Sequence, residues 1–294
     1  MPYMWSKRKS AHEITNIIEA YTKWSDKVIV DLFCGWFAIW EQFYKKWYTV
    51  YWNDKNKHVI AVLDQTINRW LDEKKCTEWV SREKFFDVTG NPERYEDWYV
   101  WYVMCVWSFG NDQKSYLFWK DIEPYKQAGH EIVIDKNPGK LKKLIPNIPQ
   151  KYIDGILKQE NWHKRRTVLR MVSRKMKTRI LELEQLERLQ QLDNVVFSSL
   201  SYDDVEIPDN AIIYCDPPYK GTKTYREWWF DHDKFWQWVR EKSETHKIFI
   251  SEYTAPPDFK TIFEFSQKST LPWWIQLHDN QPNECLFIYK NKDV

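Results

Sequence analysis

The chain switches between two hydrophobic periods. Apolar residues recur at Ile14, Ile17, Ile18, Tyr21 and Trp24, a helical spacing, behind Ser10-Ala11-His12-Glu13, which reads as a capping box. A β-type run, Val28-Ile29-Val30-Asp31-Leu32-Phe33, follows and ends in Cys34-Gly35. A helix is predicted over Ala38–Lys46, a strand over Tyr48–Asn53 that runs into Asp54, and a helix over Lys57–Leu71. Strand, helix, strand, helix is the pattern of an α/β sheet with parallel strands.

The middle of the chain loses this rhythm. Six of the twelve residues from Trp98 to Phe109 are aromatic, and the pattern there favours core over a base-stacking platform. The stretch 111–150, with its lysines and prolines, reads as loop-rich. A long helical segment is expected over Asn161–Leu192, ending in a leucine-biased repeat, Leu181–Leu192, that suits a packing helix. The α/β pattern then resumes with strands over Asn194–Ser198, Asn210–Cys215, Lys247–Ser251 and Cys285–Tyr289, and with a helix capped by Asp231 that reaches Glu244. The expected organisation is a sheet domain, 1–96 plus 195–294, interrupted by a mainly helical insert, 97–194.

Composition narrows the class. The 294 residues are 29% charged, with a net charge of +2, so a nucleic-acid partner has to meet a local basic patch and not a global field. The longest stretch without a formal charge, Trp98–Asn111, is shorter than the ~18–20 residues of a membrane span. No apolar run follows the basic Lys7-Arg8-Lys9, so no secretory signal and no membrane partner are expected. Five cysteines without a C-x-x-C pair point away from a disulfide framework or a cysteine zinc site, and a reducing cytoplasm is the expected compartment. No histidine spacing suggests a metal; His163 and His232 read as surface or capping residues. Tryptophan is abundant, at 19, and glycine scarce, at 7. Several tryptophans stand where turns are expected, at Trp36, Trp228-Trp229 and Trp273-Trp274.

The sharpest motif is Asp216-Pro217-Pro218-Tyr219 at the end of an apolar strand. Two prolines force a rigid exit, at the strand end where α/β sheets place ligands. The corner offers one carboxylate, one free carbonyl and one aromatic face, a set suited to a planar ring that bears an amino group. Asp216 and the Pro217 carbonyl can accept both N–H protons, which localises the nitrogen lone pair and makes the amine a better nucleophile. A second feature is the glycine turn Asp31-Leu32-Phe33-Cys34-Gly35, with Asp54 about twenty residues on, a layout for binding a nucleoside through its ribose hydroxyls. Cys215 precedes the first motif, but no Pro-Cys pair occurs anywhere, so Cys215 reads as a small buried strand residue and not as a nucleophile.

On these motifs the chain resembles the Dam-like DNA adenine-N6 methyltransferases, above all those of phages and prophages. Tyr3-Met4-Trp5-Ser6-Lys7 stands where that family has Y-x-G-[GS]-K, Phe33-Cys34-Gly35 stands for its F-x-G turn, and Asp54 for its acid after the second strand. Asp216-Pro217-Pro218-Tyr219 stands for its D-P-P-Y. Lys220-Gly221-Thr222, the helix around Phe235 and Ser251-Glu252-Tyr253 are similar to the same family. The resemblance implies a Rossmann-like S-adenosylmethionine-dependent methyltransferase sheet with an inserted DNA-recognition domain. It implies S-adenosylmethionine held by Tyr3, Lys7, Asp31, Phe33, Gly35, Asp54 and Asp216. It further implies methylation of N6 on an adenine flipped from double-stranded DNA, by Asp216, Pro217, Pro218 and Tyr219. Lys164, Arg165, Arg166, Arg170 and Arg174 are the expected phosphate contacts. A monomer is expected, and a cognate restriction enzyme is a conceivable partner. The sequence departs from the family at Trp5 and Trp36, where backbone approaches the cofactor, at Phe37, and at Ser201-Tyr202, where an acid is usual. A chain that grips DNA without turning over, and a methyltransferase acting on RNA or on a protein glutamine, are the competing readings.

Overall fold

The computed structural model describes residues 10–22, 27–35, 40–44, 46–69, 72–109, 112–172, 195–220, 230–265 and 283–290. The chain divides into two compact units, one of residues 61–191 and the other of residues 5–60 and 192–294.

The second unit is built on one seven-stranded sheet. Its strands are β1 (Val28–Asp31), β2 (Thr49–Asn53), β3 (Val195–Ser198), β4 (Ile212–Cys215), β5 (Lys247–Glu252), β6 (Phe259–Phe265) and β7 (Glu284–Tyr289). The spatial order is β3-β2-β1-β4-β5-β7-β6. The first five run parallel, and β7 is antiparallel to both β5 and β6. The protein is therefore α/β, with a mostly parallel mixed sheet compatible with a Rossmann-like fold. The order turns back on itself between β1 and β4, which makes a switch point, and such sheets bind ligands outside the carboxyl ends of the strands there.

Near-continuous apolar runs suit strands that are covered on both faces, and β4 is buried at all four positions. On one face Val30, Leu32, Ile213, Cys215, Ile248, Ile250 and Phe287 join Phe235, Trp238 and Val239 of helix α11 (His232–Lys242) in a single core. Asp231 caps that helix as expected, accepting the Lys234 N–H at 3.0 Å. Helix α1 (Ala11–Ala20) buries Ile14 and Ile18, but its capping box does not form. Ser10 already has helical backbone angles (φ −99°, ψ −7°), whereas a capping side chain needs an extended residue to reach the free N–H groups. Helix α2 (Trp40–Tyr44) falls within the predicted 38–46, of which residues 38, 39 and 45 lie outside the described residues.

Helix α3 (Lys57–Ile67) carries the chain across the 60/61 boundary into the helical unit. There follow α4 (Glu73–Thr77), α5 (Arg82–Gly90), α6 (Asp97–Val106), α7 (Glu123–Ile134), α8 (Gly139–Leu144), α9 (Gln150–Leu157) and α10 (Trp162–Val172). By this division the unit starts at residue 61, ahead of the expected 97, and within it α5 packs on α6. The aromatic stretch is a helix buried on every side, with Trp98, Tyr99, Trp101 and Tyr102 all inside. The expected loop over 111–150 instead holds α7 and α8. Three of its four prolines sit at helix starts, Pro124 in the first turn of α7 and Pro138 and Pro149 at the N-caps of α8 and α9, where a missing N–H costs nothing, while Pro146 lies in the turn after α8. Ala128, Ile132, Leu141, Ile153, Ile156 and Leu169 from these helices form a second core. The Leu181–Leu192 repeat lies outside the described residues. Among the described residues no helix is long and apolar enough to cross a membrane.

Candidate active site

Asp31 ends β1 and Cys215 ends β4, so the glycine turn and the D-P-P-Y corner leave the sheet side by side at the switch point. Asp31 is in register with Tyr214, and the Leu32 N–H extends the pairing to the Tyr214 carbonyl at 3.1 Å. The two features that the sequence places roughly 180 residues apart thus share one edge of one sheet.

The glycine turn is anchored to the end of β2. The Cys34 N–H donates to the Asn53 carbonyl at 2.9 Å, and the Gly35 N–H donates to the Asp54 carboxylate at 3.0 Å. Gly35 has φ +44°, which strains any residue with a side chain, so glycine is required here by backbone geometry. Asp54 also accepts the Asn56 N–H, at 2.8 Å. The carboxylate expected to meet ribose hydroxyls therefore already braces the glycine turn, with lone pairs left over for a ligand. Phe33 turns its ring into an aromatic group with Tyr202, Phe230 and Phe235, at centroid distances of 5.8–5.9 Å, so what it offers at the edge is backbone.

Asn53 is a site residue that sequence reading passed over. It is buried, and its amide donates to the carbonyls of Leu32 and Leu200 at 3.1 and 3.0 Å. Its side-chain oxygen accepts from the Leu200 N–H and the Ser198 hydroxyl at 3.0 and 2.8 Å. One side chain thus ties together the carboxyl ends of β1, β2 and β3. An apolar-periodic strand that ends in an amide immediately before an acid was the available signal.

At the corner itself Pro217 is buried, while Asp216 and Tyr219 are half-buried. Burial pushes the Tyr219 hydroxyl well above its usual pKa, and the neighbouring Asp216 charge pushes it further. The Tyr219 ring meets that of Tyr253 edge to face, with centroids 4.7 Å apart. The Lys220 N–H, just past the corner, donates to Glu252 at the end of β5. Cys215 is fully buried in β4, as a small strand residue would be.

The edge is strongly acidic. Asp31, Glu252 and Glu284 are buried there beside the half-buried Asp54 and Asp216. Desolvation pushes the Asp31 carboxyl well above the usual range, and the neighbouring Asp216 and Asp54 charges push it further. Desolvation also raises Asp54 to about 6, against the pull of its two N–H donors. Such an arrangement carries stored repulsion that a bound cation relieves.

The basic patch is reshaped. Arg165 is buried, and its guanidinium donates to the carbonyls of Val133, Gln159 and Glu160. Arg165 therefore holds α10 to α7 and to the end of α9, and it cannot serve as the expected phosphate contact. Lys164 is exposed and Arg166 half-buried on the same helix. The Arg170 side chain and Arg174 lie outside the described residues, as do Tyr3, Trp5, Lys7, Trp36, Phe37, Trp228-Trp229 and Trp273-Trp274. Among the described residues no group of three His, Cys, Asp or Glu side chains is arranged to hold a metal ion. No protein-family model matches the chain.

Proposed function

We propose that the protein is a site-specific DNA adenine methyltransferase, moving a methyl group from S-adenosylmethionine to N6 of a flipped adenine in duplex DNA. The observation that carries this reading is the adjacency of the Gly35 turn and the Asp216 corner at the β1/β4 switch point. The motif resemblance supplies the specific chemistry.

The donor set suits the cofactor. S-adenosylmethionine is cationic at sulfur, and Asp31, Asp54 and Asp216 crowd negative charge where it would lie. Asp54 and the Gly35 turn would take its nucleoside end, with Tyr3 and Lys7 as further contacts by resemblance. When bound, it supplies a methyl carbon made electrophilic by the adjacent sulfonium.

The chain's own residues do the rest by positioning. Asp216 and the Pro217 carbonyl accept the two N6 protons, which holds the amine in plane and frees its lone pair. Tyr219 offers its ring face to the base, and Tyr253 buttresses that ring. As N6 gains its methyl it must lose one proton, and the Asp216 carboxylate is the acceptor in contact. No covalent enzyme intermediate is required, consistent with a buried and inert Cys215.

The test is expression in a host that lacks DNA methylation, followed by sequencing-based mapping of modified adenines. Methyl-adenine at a fixed short sequence is expected, and Asp216→Ala should abolish it while leaving the fold nearly unchanged. Duplex binding without modified adenine favours a DNA-binding module, and methyl transfer to RNA in place of duplex DNA favours an RNA enzyme.

A further inference from the structure

We propose that Glu252 is a positioning residue that pins the Asp216–Lys220 corner to the end of β5. The inference rests on the methyl-transfer reading of that corner and adds a residue to it.

The corner has an unusual shortage of backbone anchors. Pro217 and Pro218 carry no N–H, so the chain leaving β4 cannot continue the ladder with β5. The register between the two strands runs to Cys215 and Ile250 and goes no further. The next amides after the prolines belong to Tyr219 and Lys220. The Lys220 amide is caught by a side chain, donating to Glu252 Oε2 at 3.2 Å. The other oxygen, Oε1, accepts the N–H of Tyr253 at 2.8 Å, which fixes the carboxylate in the rotamer that reaches across to the corner.

Glu252 is only 1% exposed. A buried carboxylate is costly, and apolar packing alone would not keep one. Backbone N–H donors to a carboxylate make stronger bonds than neutral pairs, so this is a stiff tether. The same residue sets the next side chain in place: the Tyr253 ring stands at 79° to the Tyr219 ring. Tyr219 is thereby held from two directions, by Glu252 through the following amide and by Tyr253 through its ring. What the tether fixes is the distance between the Asp216 carboxylate and the Tyr219 face, the two groups that must meet one base together.

Hydrogen exchange reads the tether directly. In a peptide spanning residues 216–220 only Asp216, Tyr219 and Lys220 have amides to exchange. Glu252→Gln keeps the side-chain volume but sets an NH2 donor against one of the two backbone donors. Glu252→Asp keeps the charge and shortens the reach. In both, the Lys220 amide is expected to exchange about tenfold faster or more. The kcat for methyl transfer should fall about tenfold or more while the dissociation constant for S-adenosylmethionine stays within about twofold. Unchanged exchange at Lys220 overturns the tether. Faster exchange with unchanged kcat overturns its positioning role. If the parent protein transfers no methyl to duplex DNA, the methyl-transfer reading fails separately, and the exchange result still decides the tether.

Discussion

The arginine at 165 shows why a residue type alone does not define a surface. Arg165 and Lys164 are neighbours in one basic run, yet Arg165 is 5% exposed and satisfies three carbonyls, while Lys164 points to solvent. The guanidinium suits the inner position because its donors fork to several acceptors at once. Arg165→Ala should therefore act on stability, leaving carbonyls of Val133, Gln159 and Glu160 without their donor. A loss of about 3 kcal/mol in denaturant unfolding is expected, since hydrogen bonds to a charged group are worth roughly 1.5–3 kcal/mol each and water recovers part of them. Lys164→Ala should leave unfolding unchanged within about 0.5 kcal/mol and, under the proposed function, lower the salt slope of DNA binding by about one. The reverse pattern, stability lost with Lys164 and salt slope with Arg165, would refute both assignments.

At the scale of elements, the parallel half of the sheet was legible because buried strands announce themselves as β-branched runs, and those over Val28–Asp31, Thr49–Asn53, Ile212–Cys215 and Lys247–Glu252 stand within a few residues of expectation. The strand Phe259–Phe265 carries only a partial signal: Phe259, Phe263 and Phe265 alternate with Lys260 and Glu264, but Ile262, beside the bulge between Thr261 and Phe263, interrupts the alternation. The helices over 123–144 were hidden by prolines that mark helix starts as readily as loops. Of the site, the acids at 31, 54 and 216 could be read because each ends or directly follows a strand. The bracing is less legible: Asn53 is marked by its place between an apolar strand and an acid, but what it and Glu252 hold lies across strands whose order no local pattern encodes. Asn53→Ala measures that bracing. It unpairs the Leu32 and Leu200 carbonyls, the Leu200 amide and the Ser198 hydroxyl, and the cost is expected to be about 2–3 kcal/mol. The Gly35 turn should lose protection from hydrogen exchange in the same variant. A neutral substitution would show that the three strand ends hold their places without it.

For the molecule as a whole, the two units should respond to acid in opposite directions. In the helical unit His130 is buried against the Trp79 and Trp107 rings, with its Nδ1 unpartnered, and burial lowers its pKa. A histidine whose folded pKa is depressed gives stability above its unfolded value of about 6.5 and loses it as pH falls below that value. In the sheet unit the sign reverses. Asp54 is raised from 3.8 to about 6, and Asp31 is raised well above its usual value, so both bind protons more readily folded than unfolded. Their contribution is fullest at low pH and is lost as pH rises through the folded values, from about 4 to 6 for Asp54. Taking the protein from pH 7.5 to pH 5.5 should therefore loosen the helices around His130 and tighten β1, β2 and β4. Hydrogen exchange, corrected for the intrinsic pH dependence of the chemistry, resolves the two units in one experiment. His130→Phe should remove the acid sensitivity of the helical unit and leave the sheet unit's response intact. Under the proposed function, the same carboxylates that gain from protonation are the ones a cationic cofactor needs ionised, so S-adenosylmethionine should bind more weakly below about pH 6 even as the empty sheet grows more stable. Stability and affinity moving together with pH would mean that the acidic edge does not face the bound cation.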